Sequence, residues 1–274
     1  MSDRSGAERQ RQGDEEDLAG GVANAGRVSR QNDHVLRPSN PFSASIHQFL
    51  STLDAAGFDG ASVPVAIQDD GRERLVYIEG DVPLPPYPAW AQTDDALASI
   101  TTLMRKFHHA SWRFDAAGSE WSDEMADPVG GPVVCHNDVC LENVVFRDGV
   151  AVGLIDFDFA APGRPVYDLA QCARMCVPID DDLSASRLGW EPSDRPRRLR
   201  LVADAYGLAG EERLELFQIL TGTMQSGGEF VRRRVEAGDP NFIQMWEEMG
   251  GRERYDRRLR WWTEHQSKFI DALA

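Results

Sequence analysis

The fold of this chain is decided by the stretch Val133-Val134-Cys135-His136-Asn137-Asp138-Val139-Cys140-Leu141-Glu142-Asn143-Val144-Val145-Phe146. It is followed by a second apolar stretch, Val152-Gly153-Leu154-Ile155-Asp156-Phe157-Asp158-Phe159-Ala160. Between them, Arg147-Asp148-Gly149 predicts a tight turn that joins two paired strands. The two stretches therefore place a His, an Asp and an Asn on one loop, and another Asp at the end of a neighbouring strand.

These polar residues suit phosphoryl transfer. That reaction needs an acceptor hydroxyl held in line and metal ions that bridge the phosphates and neutralise their charge. Asp138 is the candidate to accept or orient the hydroxyl proton, and His136 is the second catalytic candidate, expected to orient the loop. Asn143 and Asp156 offer the hard oxygen ligands that Mg²⁺ prefers.

The pattern H-x-D-x-x-x-x-N, followed by an apolar run and I-D-F-D, resembles the catalytic and metal loops of kinase-like phosphotransferases. The closest resemblance is to the aminoglycoside phosphotransferase and choline kinase group. It implies an α+β, bilobal kinase-like fold, in which the small lobe has an antiparallel sheet and the large lobe is mostly helical. It also implies ATP or GTP as the phosphate donor, Mg²⁺, and a hydroxyl of a small molecule as the acceptor.

The acceptor that the resemblance favours is an aminoglycoside-like antibiotic, and the alternatives are choline, a sugar or an amino-alcohol. Two other classes compete with this hypothesis. One is a non-catalytic nucleotide-binding module. The other is a metal-dependent hydrolase that uses His136, Asp138 and the cysteines, with a zinc site at Cys135, Cys140 and His136, although this spacing matches no usual zinc pattern.

Three divisions of the chain are expected. Residues 1–17 are polar and lack periodicity, which predicts a disordered tail. Residues 18–80 form the small nucleotide-binding lobe, and residues 81–274 form the large lobe with the catalytic loop and the acceptor-binding helices. Helices are predicted over residues 43–56, 195–206, 211–236 and 252–274.

Nucleotide contacts are expected at three places in the small lobe. Small residues at Gly20, Gly21 and Asn24 let the backbone approach a phosphate closely. The resemblance assigns Arg37 to the third-strand basic residue that grips the nucleotide phosphates, where the family usually has Lys. It also places Glu79 and Asp81 in the interlobe hinge, whose backbone contacts the adenine edge.

The small lobe departs from the family pattern at one point. In the family, a Glu on the first helix pairs with the third-strand basic residue, whereas the predicted helix here contains no Glu and His47 is its nearest polar candidate. Asp158 is a secondary candidate, although on a strand it would face away from Asp156. Asp168, in an Asp-Leu-Ala sequence, resembles the family's structural Asp, which hydrogen-bonds toward the catalytic loop.

Bulk properties exclude some partners. The formal net charge of -16 over 274 residues argues against nucleic acid and would suit a cationic acceptor. No apolar run is long enough to span a bilayer, and the N-terminus lacks the apolar core of a signal peptide. A cytoplasmic location is therefore expected. The acidic run 180–182 is either a solvated loop or the edge of a cation-binding site.

Overall fold

The computed structural model describes residues 15–18 and 27–274, with the backbone alone at 225–227. Gly20, Gly21 and Asn24 therefore lie outside the described residues, as does most of the predicted tail. The two ends of the described chain differ in architecture, since sheet precedes helix. This α+β arrangement, with an N-terminal antiparallel sheet and a helical C-terminal part, confirms the predicted fold class.

The small lobe is built on a five-stranded antiparallel sheet with the strand order β1-β2-β3-β5-β4. Its strands are β1 (Glu16–Asp17), β2 (Ser29–Gln31), β3 (His34–Pro38), β4 (Pro64–Ile67) and β5 (Arg72–Val76). Helix α1 (Ser43–Ala55) follows β3 and buries one apolar face, formed by Ile46, Phe49, Leu50 and Leu53. These positions recur at i, i+3, i+4 and i+7, the spacing of one helix face.

The predicted disordered tail extends too far. Glu16 and Asp17 pair with Arg30 and Ser29 as an edge strand, and Glu15 accepts a hydrogen bond from the Ser29 hydroxyl. The polar composition of this segment gave no sign of a strand, because the strand is stabilised by its contacts with the neighbouring strand β2. An exposed edge strand does not need an apolar face of its own.

The large lobe contains the catalytic stretches. Two strand pairs, β6 with β9 and β7 with β8, carry them. Their bounds are β6 (Val133–Cys135), β7 (Val144–Arg147), β8 (Val150–Leu154) and β9 (Ala161–Gly163). Helix α2 (Asp94–Ser111) packs against β8 and β6, and Thr93 caps it by accepting a hydrogen bond from the Ala96 amide. Helices α3 (Pro165–Cys176) and α4 (Asp182–Arg187) follow β9.

Four helices complete the lobe: α5 (Arg195–Tyr206), α6 (Glu211–Glu236), α7 (Pro240–Met249) and α8 (Gly251–Leu273). The predictions for 195–206 and 211–236 are confirmed, and the last predicted helix begins one residue earlier than expected. Helix α7 was not predicted. Gly250 and Gly251 both have positive φ, so they end α7 and turn the chain into α8. In the described part of the chain, no helix has the length and apolar character needed to span a membrane.

Backbone hydrogen bonds join the two lobes beside the catalytic hairpin. The amide of Asp81 donates to the carbonyl of Phe146 at 2.8 Å, and the Phe146 amide donates back at 2.9 Å. On the other side, Leu154 donates to the carbonyl of Gly60. The β7–β8 hairpin is therefore fixed to the small lobe, which places the ends of its strands in the cleft between the lobes.

Candidate active site

The catalytic loop is held by one buried carboxylate. Asp168, on α3, accepts hydrogen bonds from the backbone amides of His136 and Asn137, both at 2.8 Å. It also contacts Nε2 of His108 at 2.9 Å. Burial alone would raise the pKa of Asp168, but the bonds from His108 and the loop amides lower it below its usual value. The predicted structural role of Asp168 is confirmed.

His136 links the loop to the second apolar stretch. Its Nε2 atom lies 2.9 Å from the carbonyl of Ile155, so this nitrogen carries the proton, and Nδ1 accepts from the amide of Asp138. The ring packs against Phe157 with the centroids 4.5 Å apart. Burial lowers the pKa of His136. A neutral imidazole that is hydrogen-bonded at both nitrogens joins the loop to the second apolar stretch, and a catalytic role of His136 stays a prediction.

Asp138 and Asn143 are in direct contact. The amide nitrogen of Asn143 donates to the backbone carbonyl of Asp138 at 2.8 Å and to its carboxylate at 3.0 Å. The side-chain oxygen of Asn143 is therefore its atom for a metal ion. Burial, together with the charge of Asp156, raises the pKa of Asp138 to about 8. A carboxyl group with such a pKa is a better proton acceptor than an ordinary aspartate.

Asp156 is held beside these residues by the backbone. The Ile155 amide donates to the carbonyl of Asn143 at 3.0 Å. Asp156 itself has φ 64° and ψ 65°, a left-handed conformation that is uncommon outside glycine. This conformation ends strand β8 and directs the carboxylate into the cleft, where Asp156 and Asn143 are both lining residues. Strained backbone of this kind is often found at functional sites.

Arg37 contacts three carboxylates. Its Nη1 atom lies 2.7 Å from Asp156, its Nη2 atom 2.6 Å from Asp158, and its Nε atom 3.2 Å from Glu73. Burial by itself would lower the pKa of Arg37, but the three negative charges raise it above its usual value. The guanidinium is therefore a permanent cation at the end of the cleft.

Glu73 is the partner that the sequence did not reveal. The side chain is fully buried on β5 and, besides Arg37, contacts the hydroxyl of Ser43 and Nε2 of His47. The first helix thus reaches the ion pair through Ser43 and His47, while the carboxylate comes from a strand. The register between β3 and β5 sets Arg37 opposite Glu73. A glutamate on a strand can therefore pair with Arg37 although the first helix has no Glu.

Asp158 does not face away from Asp156, contrary to the expectation from strand alternation. Phe157–Phe159 forms a 3₁₀ turn instead of a strand, and successive side chains in such a turn do not alternate between two faces. Asp158 consequently accepts hydrogen bonds from Arg37 and from Asn40 at 2.9 Å. It lies at the same end of the cleft as Asp156, and burial raises its pKa.

The cleft itself is a cavity of about 270 Å³ between the lobes. Its walls are mostly apolar, and its polar end holds the catalytic stretches. The apolar lining residues are Leu18, Val28, Val35, Leu75, Ile78, Val82, Leu84 and Val145. Arg37, Asn143 and Asp156 line the polar end of the cleft.

Glu79 and Asp81 are not among the residues that line the cleft, and their nucleotide contacts stay a prediction. Asp81 uses both its backbone groups on Phe146, and the side chain of Glu79 is paired with Arg30. Gly80 and Val82 line the cleft instead. Since backbone groups alternate in direction along an extended segment, the hinge presents Gly80 and Val82 to a ligand.

The zinc hypothesis is not supported by the arrangement of its three residues. Among the described residues, the group with metal-ligand spacing is His108, Cys135 and Asp168, without Cys140 or His136. Asp168 in that group is already bonded to two amides and to His108. The predicted trio Cys135, Cys140 and His136 therefore does not converge.

Each residue of the acidic run 180–182 forms an ion pair with an arginine. Asp180 pairs with Arg254 at 2.9 Å, Asp181 with Arg257 at 2.9 Å, and Asp182 with Arg195 at 2.8 Å. Two of these contacts cross to α8, which is far away in sequence, and Asp182 stays 87% exposed. The charges of the run are therefore neutralised by arginines, which the local sequence did not indicate.

Comparison with known proteins identifies the family. The phosphotransferase enzyme family model matches residues 83–217, the segment that contains the catalytic stretches. The chain is also 33% identical, over 259 residues, to the trifolitoxin immunity protein of Rhizobium leguminosarum bv. trifolii. That alignment covers 90% of this chain and 95% of the immunity protein.

Solved structures share the fold. A choline/ethanolamine kinase family protein from Mesorhizobium loti is 17% identical, with a TM-score of 0.62 and coverage of 95% of this chain and 92% of that one. The GDP complex of aminoglycoside 2'-phosphotransferase-IIIa is 16% identical, with a TM-score of 0.53 and coverage of 86% and 90%. The sequence relative, the family match and the kinase-like fold together show that this chain belongs to the phosphotransferase enzyme family.

Proposed function

We propose that the chain transfers the terminal phosphate of ATP or GTP to a hydroxyl of a small molecule. The observation that carries this proposal is the convergence of Asp138, Asn143 and Asp156 at the polar end of an apolar cleft. A proton acceptor, a neutral oxygen ligand and a charged oxygen ligand are the groups that phosphoryl transfer requires.

The residues present fit Mg²⁺. Asn143 and Asp156 offer hard oxygen donors from adjacent backbone segments, which is sufficient for an ion that takes its other ligands from phosphates and water. When bound, Mg²⁺ would neutralise the negative charge of the phosphates. Because Arg37 already binds one oxygen of Asp156, the second carboxylate oxygen is the one left for the metal.

The chain's own groups divide the remaining work. Asp138 orients the acceptor hydroxyl and takes its proton, for which its raised pKa is suitable. His136 and Asp168 hold the loop in position. Arg37 supplies a fixed positive charge beside the phosphates, in the place where the sequence pattern predicted a phosphate contact. Gly80 and Val82 present the hinge backbone to the base, and Gly20, Gly21 and Asn24 stay predicted phosphate contacts.

The relative's name supports a protective role against a toxic compound. The trifolitoxin immunity protein is similar to this chain over nearly its full length. Phosphorylation of a hydroxyl on a toxin or antibiotic would inactivate it if that hydroxyl is needed for binding to its target. The aminoglycoside expected from the sequence is one member of this class, and it belongs in any acceptor panel.

A binding assay with matched variants tests the nucleotide site. ATP and GTP, each with Mg²⁺ or with EDTA, are titrated into the wild-type protein, into Asp156→Asn and into the exposed control Asp204→Asn. We expect Mg²⁺-dependent binding that is weakened at least about tenfold in Asp156→Asn, because a charged ligand is lost, and is unchanged in the control. If the wild-type protein binds neither ATP nor GTP, the proposal is contradicted.

Turnover separates the rival classes. Acceptor-dependent ADP release that disappears in Asp138→Asn would exclude a non-catalytic nucleotide-binding module. Nucleotide binding without such turnover on any acceptor would favour the module. Purified protein that contains stoichiometric zinc and hydrolyses substrates without nucleotide would favour the hydrolase.

A further inference from the structure

Three arginines lie on the side of the catalytic loop that faces the C-terminal helices. Arg174 belongs to the last turn of α3, the helix whose Cys176 contacts the carbonyl of Val139 in the catalytic loop. Arg254 and Arg258 lie one turn apart on α8 and therefore on one face of that helix. Asp180 is the carboxylate that they share: its charge acts on Arg174, Arg254 and Arg258, and the charge of Asp138 also acts on Arg174.

Positive charge exceeds negative charge in this cluster. Arg254 is paired with Asp180 at 2.9 Å. In the described part of the chain, neither Arg174 nor Arg258 forms a salt bridge, and the side chain of Arg174 makes no hydrogen bond. Neither Arg174 nor Arg258 is therefore in direct contact with a carboxylate, although the charges of Asp138 and Asp180 act on Arg174 and the charge of Asp180 acts on Arg258. Buried charges are normally paired, so this imbalance points to a group that the protein itself does not supply.

The unsatisfied atoms are buried. Nε of Arg174 and Nε of Arg258 are both inaccessible and have no hydrogen-bond partner. Arg258 is only 7% exposed, and its one hydrogen bond is from Nη2 to the carbonyl of Met224 at 3.1 Å. Burial, with the nearby charge of Arg174, lowers the pKa of Arg258 to about 10. An anion in this cluster would relieve the repulsion between the two cations.

A small cavity opens beside two of the arginines, Arg254 and Arg258. Its volume is about 40 Å³, and its lining includes Arg254, Arg258, Trp246 and Tyr255. Gly228 on α6 permits this arrangement, because a Cβ there would lie 2.0 Å from the Tyr255 ring and 3.0 Å from the Arg258 guanidinium. The space suits a group the size of a carboxylate, bordered by aromatic rings that can contact an adjoining carbon skeleton.

We propose that the acceptor is a hydroxylated molecule with an anionic group, and that Arg174 and Arg258 hold this anion while Asp138 faces the hydroxyl. This assignment rests on the proposed phosphotransferase function and names its substrate class. It differs from the cationic acceptor that the net charge of -16 suggested. Exposed charges elsewhere on the protein are screened by salt, whereas buried charges are screened much less. The buried arginines therefore decide the electrostatic potential at this site.

The test uses acceptor pairs that differ in one charge. The pairs are pantothenate with panthenol, glycerate with glycerol, and L-homoserine with its amide, and gentamicin and choline serve as cationic probes. Binding to the protein alone is measured by calorimetry, and ADP release is measured with Mg·ATP. We expect at least one anion to bind about tenfold or more tightly than its neutral partner, since guanidinium–carboxylate bonds are charge-assisted.

Variants assign the effect to the arginines. Arg174→Gln should reduce the preference for the anion about tenfold and raise the KM for the acceptor, with the KM for ATP unchanged. Arg174→Lys, which keeps the positive charge, should retain part of the preference for the anion. The melting temperature of Arg174→Gln should be equal or higher, because no partner is lost. Arg252→Gln, an exposed position on the same helix as Arg258, is the control and should behave as wild type.

Two results would overturn the inference. One is a preference for the neutral or cationic members, and the other is no binding or turnover of any anion in the panel. In both cases, Mg²⁺-dependent nucleotide binding would be unaffected, so the proposed phosphotransferase function would stand. Loss of nucleotide binding with anion binding intact would have the opposite meaning: the anion site would stand and the phosphotransferase proposal would fail.

Discussion

Arg37 and Asp156 are in direct contact, with Nη1 of the guanidinium 2.7 Å from the carboxylate oxygen. The residue expected to bind phosphate and the residue expected to bind metal therefore share one ion pair. The same guanidinium neutralises the buried carboxylate of Glu73, so it has a structural role as well as a proposed functional one. Replacement of Arg37 should consequently affect both stability and nucleotide binding.

Arg37→Met should destabilise the protein by about 3–5 kcal/mol, because it leaves Glu73 buried without its cation. Arg30→Met, which breaks the exposed pair with Glu79, should change the free energy of unfolding far less, because exposed ion pairs contribute little. Urea denaturation measures both. The double variant Arg37→Met/Glu73→Gln should recover part of the loss, and no recovery would show that Arg37 acts through packing alone.

Asp138→Asn should lower kcat by about 10²–10⁴-fold, because the proton acceptor is lost, while nucleotide affinity stays within a few-fold of wild type. The same variant should be more stable than the wild type at neutral pH, although its activity is lower. Burial raises the pKa of Asp138 to about 8, so ionisation opposes folding as the pH rises from the unfolded pKa toward 8. Asp138→Asn should therefore melt at a higher temperature than wild type at pH 7, and this gain should vanish near pH 4.

Asp168→Asn should destabilise the catalytic loop, since Asp168 bonds two loop amides and His108. We expect about 3–5 kcal/mol of destabilisation and a lower kcat with little change in the KM for ATP. The pKa of Asp168 is lowered, so its stabilising effect is present above the unfolded pKa of about 4 and is lost as the pH falls through the folded value. Asp256→Asn, at an exposed helix pair, is the control.

Gly80→Ala should disrupt the hinge. A Cβ at Gly80 would lie 2.4 Å from the carbonyl of Phe146, so the backbone bonds of Asp81 to Phe146 must shift. Gly57 also has positive φ but has open space around its Cβ position, and Gly57→Ala is therefore the control for backbone strain alone. We expect Gly80→Ala to lose nucleotide affinity and Gly57→Ala to keep it. Equal affinities in titrations of the two variants would contradict the hinge assignment.

Local pattern was sufficient for much of this molecule. The alternation and turn around Asp148 predicted the β7–β8 hairpin, and helical periodicity predicted α5 and α6 with their observed bounds. The polar residues that follow apolar strands identified Asp138, Asn143 and Asp156. Each of these inferences depends on neighbours in sequence, where spacing and turn chemistry directly limit the conformations of the backbone.

Long-range pairing was not accessible in this way. Glu73 could not be recognised as the partner of Arg37, because the pairing depends on the register of β3 with β5 and not on any local motif. Asp158 was expected to face away because the chain was assumed to continue as a strand. Arg174 carried no local signal at all, since its lack of a partner becomes visible only when the surrounding helices are in place.

The sequence by itself determined the fold class and the family, and it predicted Asp138, Asn143 and Asp156 as the polar residues of the site. The tertiary structure decided which charges neutralise one another. It assigned Glu73, Asp156 and Asp158 to Arg37, paired the acidic run 180–182 with arginines, and left Arg174 and Arg258 without carboxylates. The physical reason is that electrostatic free energy depends on separation and burial in space, and neither quantity is set by position along the chain.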